Sequence, residues 1–370
     1  MSDRNAHHEA QDDDHLIAEN VDVEPVEPNK RLFSGRTHVA VAAFAALYAA
    51  FHMAALNGLS VERMTAGLMA LVGVEDPRGI EFAFLPQFPM ETWNFRIVHI
   101  AGALALGFQL YAAHAFREDG GRPTRALSLA TLVLLVPAAI SLVTALGFVQ
   151  LINSGTLPEF GGLVTWASAK PGMELYAREF WGFGVPLLVA TLGGILAGWF
   201  ERRERDRFAA SDLVLGFCAI VVAVYLIPIY STAARNSVGT PFVPVGIAFA
   251  ATAGTAMILE LTRRVAGLAL VIITGVFLTY VFTAHLLPGI LAVQNPYSWQ
   301  RFFGHVYSDA GILGPTTAVS STYIILFIIF AAFLQASKVG DYFVNFAFAA
   351  AGRARGGPAK VAIFASGLMG

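Results

Sequence analysis

The chain reads "LLVATLGGILAGWF" from 187 to 200, "ERRERDR" from 201 to 207 and, after "FAAS", "DLVLGFCAIVVAVYLIPIY" from 212 to 230. Two apolar runs thus flank a knot of four arginines and three acids. A helix needs about 20 mostly apolar residues to cross hydrocarbon, and the runs, taken as 183–200 and 212–231, come close to that length. No water inside a bilayer can satisfy stray backbone groups, so such runs must be helical. Lysine and arginine collect in the short loops that stay in the cytoplasm. The stretch therefore predicts two membrane-crossing helices joined on the cytoplasmic side.

The rest of the chain repeats this pattern. Hydrophobic residues make up 56% of the 370 and charged residues 14%, against about 25% charged in soluble domains. Mean hydropathy is +0.61. Eight stretches qualify as spans: 38–56, 95–115, 126–152, 183–200, 212–231, 242–260, 265–284 and 317–336. The fold class is an all-α polytopic membrane protein of about eight transmembrane helices, with the lipid bilayer as its surroundings. Prolines inside spans (Pro137, Pro186, Pro228, Pro244) are tolerated where neighbours satisfy the freed carbonyls. Gly194 and Gly198, one turn apart, read as a close helix contact.

Basic residues alternate between loops. Lys30, Arg31 and Arg36 precede the first span; Arg117, Arg122 and Arg125 lie between the second and third. Arg263 and Arg264 follow the sixth, and Lys338, Arg353, Arg355 and Lys360 follow the eighth. The intervening loops 57–94, 154–182 and 285–316 are longer but poorer in basic residues. The bias predicts a cytoplasmic N-terminus. Beyond the eighth span, Asp341 can cap a short helix carrying Phe343, Phe346 and Ala350 on one face, which reads as a helix in the interface. A Gly356-Gly357-Pro358 turn then leads into the start of a ninth membrane segment, 361–370.

The first 29 residues are acidic, punctuated by proline and poor in core-forming side chains, which reads as a disordered tail. His7, His8 and His15 beside Asp12, Asp13 and Asp14 read as a solvated run rather than a metal site. A formal net charge of −2 gives no nucleic-acid surface, and the single cysteine, Cys218, excludes a disulfide framework. No phosphate loop, zinc pattern or nucleophile elbow is present, so the reading is of a protein that is not an enzyme and carries no cofactor or metal.

Intramembrane ionisable residues are functional candidates. His38 and His52 are 14 apart on the first span; His99 and His114 are 15 apart on the second. Antiparallel spans set His38 level with His114 and His52 level with His99. Haem held by paired imidazoles needs such levels, although 14 and 15 residues leave rotations of about 40° and 60° from register. A haem-binding membrane redox protein is thus an alternative. Glu260, in "ILELTRR", lies three and four residues before Arg263 and Arg264, a spacing that lets it pair with either. An ion pair orienting a helix end is preferred there over proton or ion coupling. Arg235, Asn236 and Asp309 read as polar groups at span ends or in loops.

From Gly254 onward the chain resembles a known family. "LELTRR" (259–264) precedes an apolar span and "LPG" (287–289), in which Pro288 and Gly289 fall. "GILG" (311–314) supplies Gly311 and Gly314 and precedes a span ending at "SKVGD" (337–341) with Asp341. "GPAKVA" (357–362), with Gly357, Pro358 and Lys360, follows. This order resembles the fused permease of tripartite ATP-independent periplasmic (TRAP) transporters, in the TAXI branch. Arg96 and His99, in "RIVHIAGALALGFQLY", resemble its first region more faintly, and residues 1–90 carry no resemblance.

The resemblance implies a secondary active transporter in a bacterial or archaeal cytoplasmic membrane. It would import a small organic solute handed over by a periplasmic solute-binding protein, with sodium as the expected coupling ion. It divides the chain into a tail (1–36), scaffold helices like the small membrane subunit (37–260), and connecting helices with the start of the transport domain (261–370). The family's ion- and substrate-binding hairpin has no counterpart here. Its binding residues are expected beyond Gly370, on a remaining transport-domain polypeptide if the permease is split, and the motif positions above are expected to be structural. A purely structural membrane subunit is the other alternative.

Overall fold

The computed structural model describes residues 28–58, 61–73, 90–116, 124–154, 170–293, 297–352 and 356–369. The expected tail before Pro28 and Arg117, Arg122, Arg353 and Arg355 lie outside the described residues. The described chain is helical, and its only β pairing is an isolated bridge between Lys30 and Tyr111.

The helices are α1 (Gly35–Asn57), α2 (Val61–Leu71), α3 (Thr92–Leu110), α4 (Arg125–Leu132), α5 (Leu135–Asn153), α6 (Lys170–Ala177) and α7 (Val185–Phe200). There follow α8 (Ala210–Tyr230), α9 (Val245–Ala266), α10 (Leu268–Thr283), α11 (Trp299–Val306), α12 (Pro315–Val319), α13 (Ile325–Ala336), α14 (Val339–Ala351) and α15 (Gly357–Met369). Wider π-helical turns, Arg178–Gly184 and Ser320–Ile324, join α6 to α7 and α12 to α13 into continuous rods. Such turns often mark functional sites.

Among the described residues seven rods are long and apolar enough to cross a membrane. The remaining predicted span forms α3, which is 19 residues long but opens on Thr-Trp-Asn and carries Arg96 and His99. It is nevertheless a core helix, burying Ile97, Ile100, Leu104, Ala105 and Phe108. Proline falls where helices tolerate it: Pro186 in the first turn of α7, Pro244 just before α9, and Pro228 in the last turn of α8.

The core forms around α8, which packs on α3, α5, α7 and α9. Two thirds of α8 is buried, with Leu215, Cys218, Tyr225, Leu226 and Ile229 fully enclosed. Small residues let backbones approach, as membrane packing requires: a Cβ on Gly194 would lie 3.2 Å from Leu215, and one on Gly198 would lie 3.3 Å from Arg264. By contrast α10 buries none of its residues, and α1 buries only Val41 and His52. These outer helices present Val39, Leu47, Leu270, Ile273 and Phe277 outward, the surface that lipid covers.

Helices α14 and α15 pack as a pair. Val344, Ala347 and Ala351 of α14 pack against Val361 and Ala365 of α15, while Phe346 stays half exposed and stacks on Phe364. Asp341 does not cap α14. Lys338, in a left-handed conformation, precedes the helix, and Asp341 lies in its first turn. An acid there still complements the helix dipole.

Candidate functional site

Helices α3, α7, α8 and α9 meet at the end of the bundle where "LELTRR" terminates α9. Helical spacing puts Glu260 on the same face as both arginines. Arg263 grips its carboxylate with two bonds of 2.8 Å, and Arg264 Nε donates to Oε1 at 2.8 Å. Trp199 Nε1 donates to Oε2 at 3.2 Å, with the Arg263 guanidinium 5.9 Å from the indole centroid.

Arg264 also turns to α8. Its Nη1 donates to Asp212 Oδ1 at 2.6 Å, and Arg31 Nη2 donates to the other oxygen at 2.5 Å. The side chains of Arg31, Asp212, Glu260 and Arg264 are all at most 2% exposed. The carbonyls of Phe108 and Gln109 in the last turn of α3, and of Tyr111 and Ala113 just beyond it, accept from Arg31, Arg264 and Arg263. Asn29 Nδ2 donates to the Arg264 carbonyl at 2.7 Å. Three cations face two carboxylates and the negative ends of α3 and α9. Every carboxylate oxygen is engaged, so the cluster offers no free carboxylate to a cation, while Arg31 Nε and Arg264 Nη2 find no acceptor among the described residues: it is a clamp on five segments.

The expected pairing of Glu260 with Arg263 and Arg264 is present, and both arginines take part. Asp212 and Arg31 were not anticipated. A signal existed for Asp212, a lone acid in the first turn of an otherwise apolar helix, but none distinguished Arg31 from its tail neighbours.

Two further buried acids also escaped the sequence reading. Glu201 caps α8 from outside: its Oε1 accepts from Ser128 Oγ at 2.5 Å and from the Ala210 amide at 2.9 Å, and its Oε2 from the Ser211 amide at 2.9 Å. Burial would raise its pKa, but the Ser128 hydroxyl and the Ser211 and Ala210 amides outweigh burial and hold it below the usual carboxylate range. A depressed native pKa adds stability above the unfolded pKa, and that stability is lost as pH falls through the native value. Melting temperature should therefore drop as pH falls below the ordinary carboxylate range, and Glu201→Gln should flatten that slope. An unchanged slope in Glu201→Gln would remove Glu201 from the account.

Glu179, in the first π-helical turn, is fully buried. Tyr225 Oη donates to its Oε1 at 2.5 Å, and the Gly246 amide at the start of α9 donates to Oε2 at 3.4 Å. No cation pairs with it among the described residues.

The histidines divide. His52 on α1 and His99 on α3 stand at one level, as their spacing predicted, with His52 Nε2 and His99 Nδ1 2.9 Å apart. Two imidazoles each about 2 Å from one iron would put their nitrogens about 4 Å apart on opposite faces of a haem. A direct N···N hydrogen bond excludes a porphyrin between them. The other level does not form: His114 bonds the Trp199 carbonyl, while His38 is exposed. The four histidines build no haem site.

The remaining motif positions shape backbone. Arg96 Nη1 donates to the Leu313 carbonyl at 2.6 Å, tying α3 to the "GILG" turn. In that turn a Cβ on Gly311 would lie 2.0 Å from the Val306 carbonyl oxygen, and one on Gly314 2.5 Å from that of Asp309. Only glycine fits there. Gly289, after Pro288, has φ of 70°, the left-handed region natural to glycine. Gly357 and Pro358 open α15, and Lys360 lines an open pocket with Ile363, Phe364 and Gly367. Asn236 and Asp309 lie at the opposite end of the bundle from the clamp, as does Arg235, which faces Trp93 and Glu91.

No curated protein and no solved structure matches the chain. One family model does, over residues 253–370, from the middle of α9 through α15. The last third of this multi-helix membrane protein is similar to the family described as the tripartite ATP-independent periplasmic transporter, DctM component.

Proposed function

We propose that the chain is a permease component of a TRAP-type secondary active transporter, of the TAXI branch, importing a small organic solute delivered by a periplasmic binding protein. The match of residues 253–370 to a transporter family, set on the apolar helices that follow the clamp, carries this reading. In it, residues 37–260 are the scaffold, and residues from 261 onward connect to the transport elements. Inward sodium flow drives import. No residue of this sequence is assigned to substrate or sodium, because every buried carboxylate described above is already bonded within the protein. The clamp end is cytoplasmic, in keeping with its arginines.

The test is reconstitution of the chain, with any polypeptide that copurifies with it, in liposomes. Uptake should require the binding protein and an inward sodium gradient together. Uptake indifferent to the binding protein would discard the tripartite reading, and a preparation that only supports another transporter would favour the structural subunit. Single cysteines at the exposed positions Ser154 and Arg207, in a Cys218→Ser background, fix orientation in cells. An impermeant thiol reagent should label Ser154→Cys and spare Arg207→Cys; the reverse pattern would invert the topology.

A further inference from the structure

We propose that His52 and His99 form a binding site for a single proton, shared between the two imidazoles, that controls how α1 and the Ser320–Ile324 turn are held to α3. The proposal goes beyond the transport reading and does not depend on it.

The hydrogen-bond roles follow from the acceptors at each end. His52 Nδ1 lies 2.8 Å from the Tyr48 carbonyl, which can only accept, so Nδ1 carries a hydrogen. In a neutral ring Nε2 is then the acceptor, and His99 Nδ1 must donate to it across 2.9 Å. Neutral His99 in turn leaves Nε2 to accept from Ser320 Oγ at 3.1 Å. Tyr48 Oη donates to the His99 carbonyl at 2.7 Å, and its oxygen lies 2.9 Å from His99 Nδ1. Every polar atom of the node is satisfied without a charge, across α1, α3 and the π-helical turn.

One added proton has one place to go. If the Ser320 hydroxyl rotates, His99 Nε2 takes the proton and donates to Ser320 Oγ. The N–H···N bond to His52 then becomes a bond between imidazolium and imidazole, and such charge-assisted bonds are shorter and stronger. A second proton would leave no lone pair between the rings and would set two cations side by side, with ring centroids 5.1 Å apart. The geometry therefore admits one proton for two rings.

The surroundings leave that charge to the node itself. On α1 the titratable neighbour is Tyr48. On α3 it is Arg96, one turn away and bonded to the Leu313 carbonyl. Helices α12 and α13 carry no ionisable side chain, and Tyr323 of the intervening turn is exposed. The acids of α8 and α9, Asp212 and Glu260, are held in the clamp, and Tyr225 and Tyr230 of α8 bond Glu179 and the Tyr307 carbonyl. No carboxylate pairs with either ring among the described residues.

The position gives the proton leverage. His52 is one of two buried residues on α1, so the node is a main anchor of that helix. Ser320 lies within the segment that matches the transporter family. The node thus joins that segment to the helices before it.

The 370-residue chain in lipid nanodiscs, labelled with 15N at histidine, tests this between about pH 8 and about pH 5. The ring resonances of His52 and His99 should shift together, and the pair should gain one proton in total. His52→Phe should abolish the joint shift, and Ser320→Ala should displace its midpoint. Uptake of two protons by independently titrating rings, or no uptake by either ring across that range, would overturn the proposal. The wild-type titration decides even if the variants fold poorly.

Discussion

Arg264→Met is expected to destabilise the protein by about 3–5 kcal/mol, the effect of removing one partner from a buried ion pair. The guanidinium is fully enclosed and divides its bonds among Asp212, Glu260 and the Tyr111 carbonyl. Without it, Asp212 loses one of its two guanidinium partners, and the Tyr111 carbonyl loses the bond from Arg264. Unfolding in detergent micelles, followed by circular dichroism, measures the loss. Arg264→Lys should recover only part of it, because an ammonium cannot reach two carboxylates in the planar geometry of a fork. The double variant Arg264→Met with Asp212→Leu should lose less than the two singles summed, since the residues are coupled. A loss below about 1 kcal/mol for Arg264→Met, the level of an exposed pair, would show that the clamp does not hold the bundle together.

Tyr225→Ala is expected to lower stability by about 3–5 kcal/mol, the range for truncating a buried aromatic. The ring stacks on Phe183 with centroids 4.0 Å apart and meets Phe148 edge-on at 6.1 Å. Its hydroxyl is the short donor to Glu179. In a membrane the loss is one of packing and hydrogen bonding, since lipid tails are as apolar as the core. Tyr225→Phe isolates the hydroxyl and should lose about 1–3 kcal/mol, the effect of leaving a buried acceptor without its donor. If Tyr225→Phe proves as damaging as Tyr225→Ala, the hydroxyl bond rather than the ring organises this part of the core.

Spans were legible because their requirement is local. A run such as 212–231 must satisfy its own backbone in lipid, so length and apolarity announce it without reference to any neighbour. Helix α3 shows the limit. It carries Arg96 and His99 and is less apolar than the other spans, yet it is deeply buried, since other helices pack around it. The pairing of Glu260 with Arg263 and Arg264 was legible for the same local reason, being set by spacing along one helix. The level of His52 with His99 followed from counting residues along two antiparallel helices, but the count could not say whether a haem or a hydrogen bond lies between them.

What the sequence by itself determined was the membrane class, the number and order of the apolar runs, the sorting of basic residues between loops and the likeness of the C-terminal third to a transporter family. Those properties are written in composition, length and motif order along the chain. Only the tertiary structure decided that Arg31 and Asp212, 181 residues apart, complete the clamp, that Glu179 meets Tyr225, and that Ser320 closes the histidine node. Buried charges must find partners wherever the packing of helices brings them, because lipid and core supply none. That packing is set by side-chain volumes and backbone approach at positions such as Gly194, Gly198 and Gly246, whose partners no local pattern names.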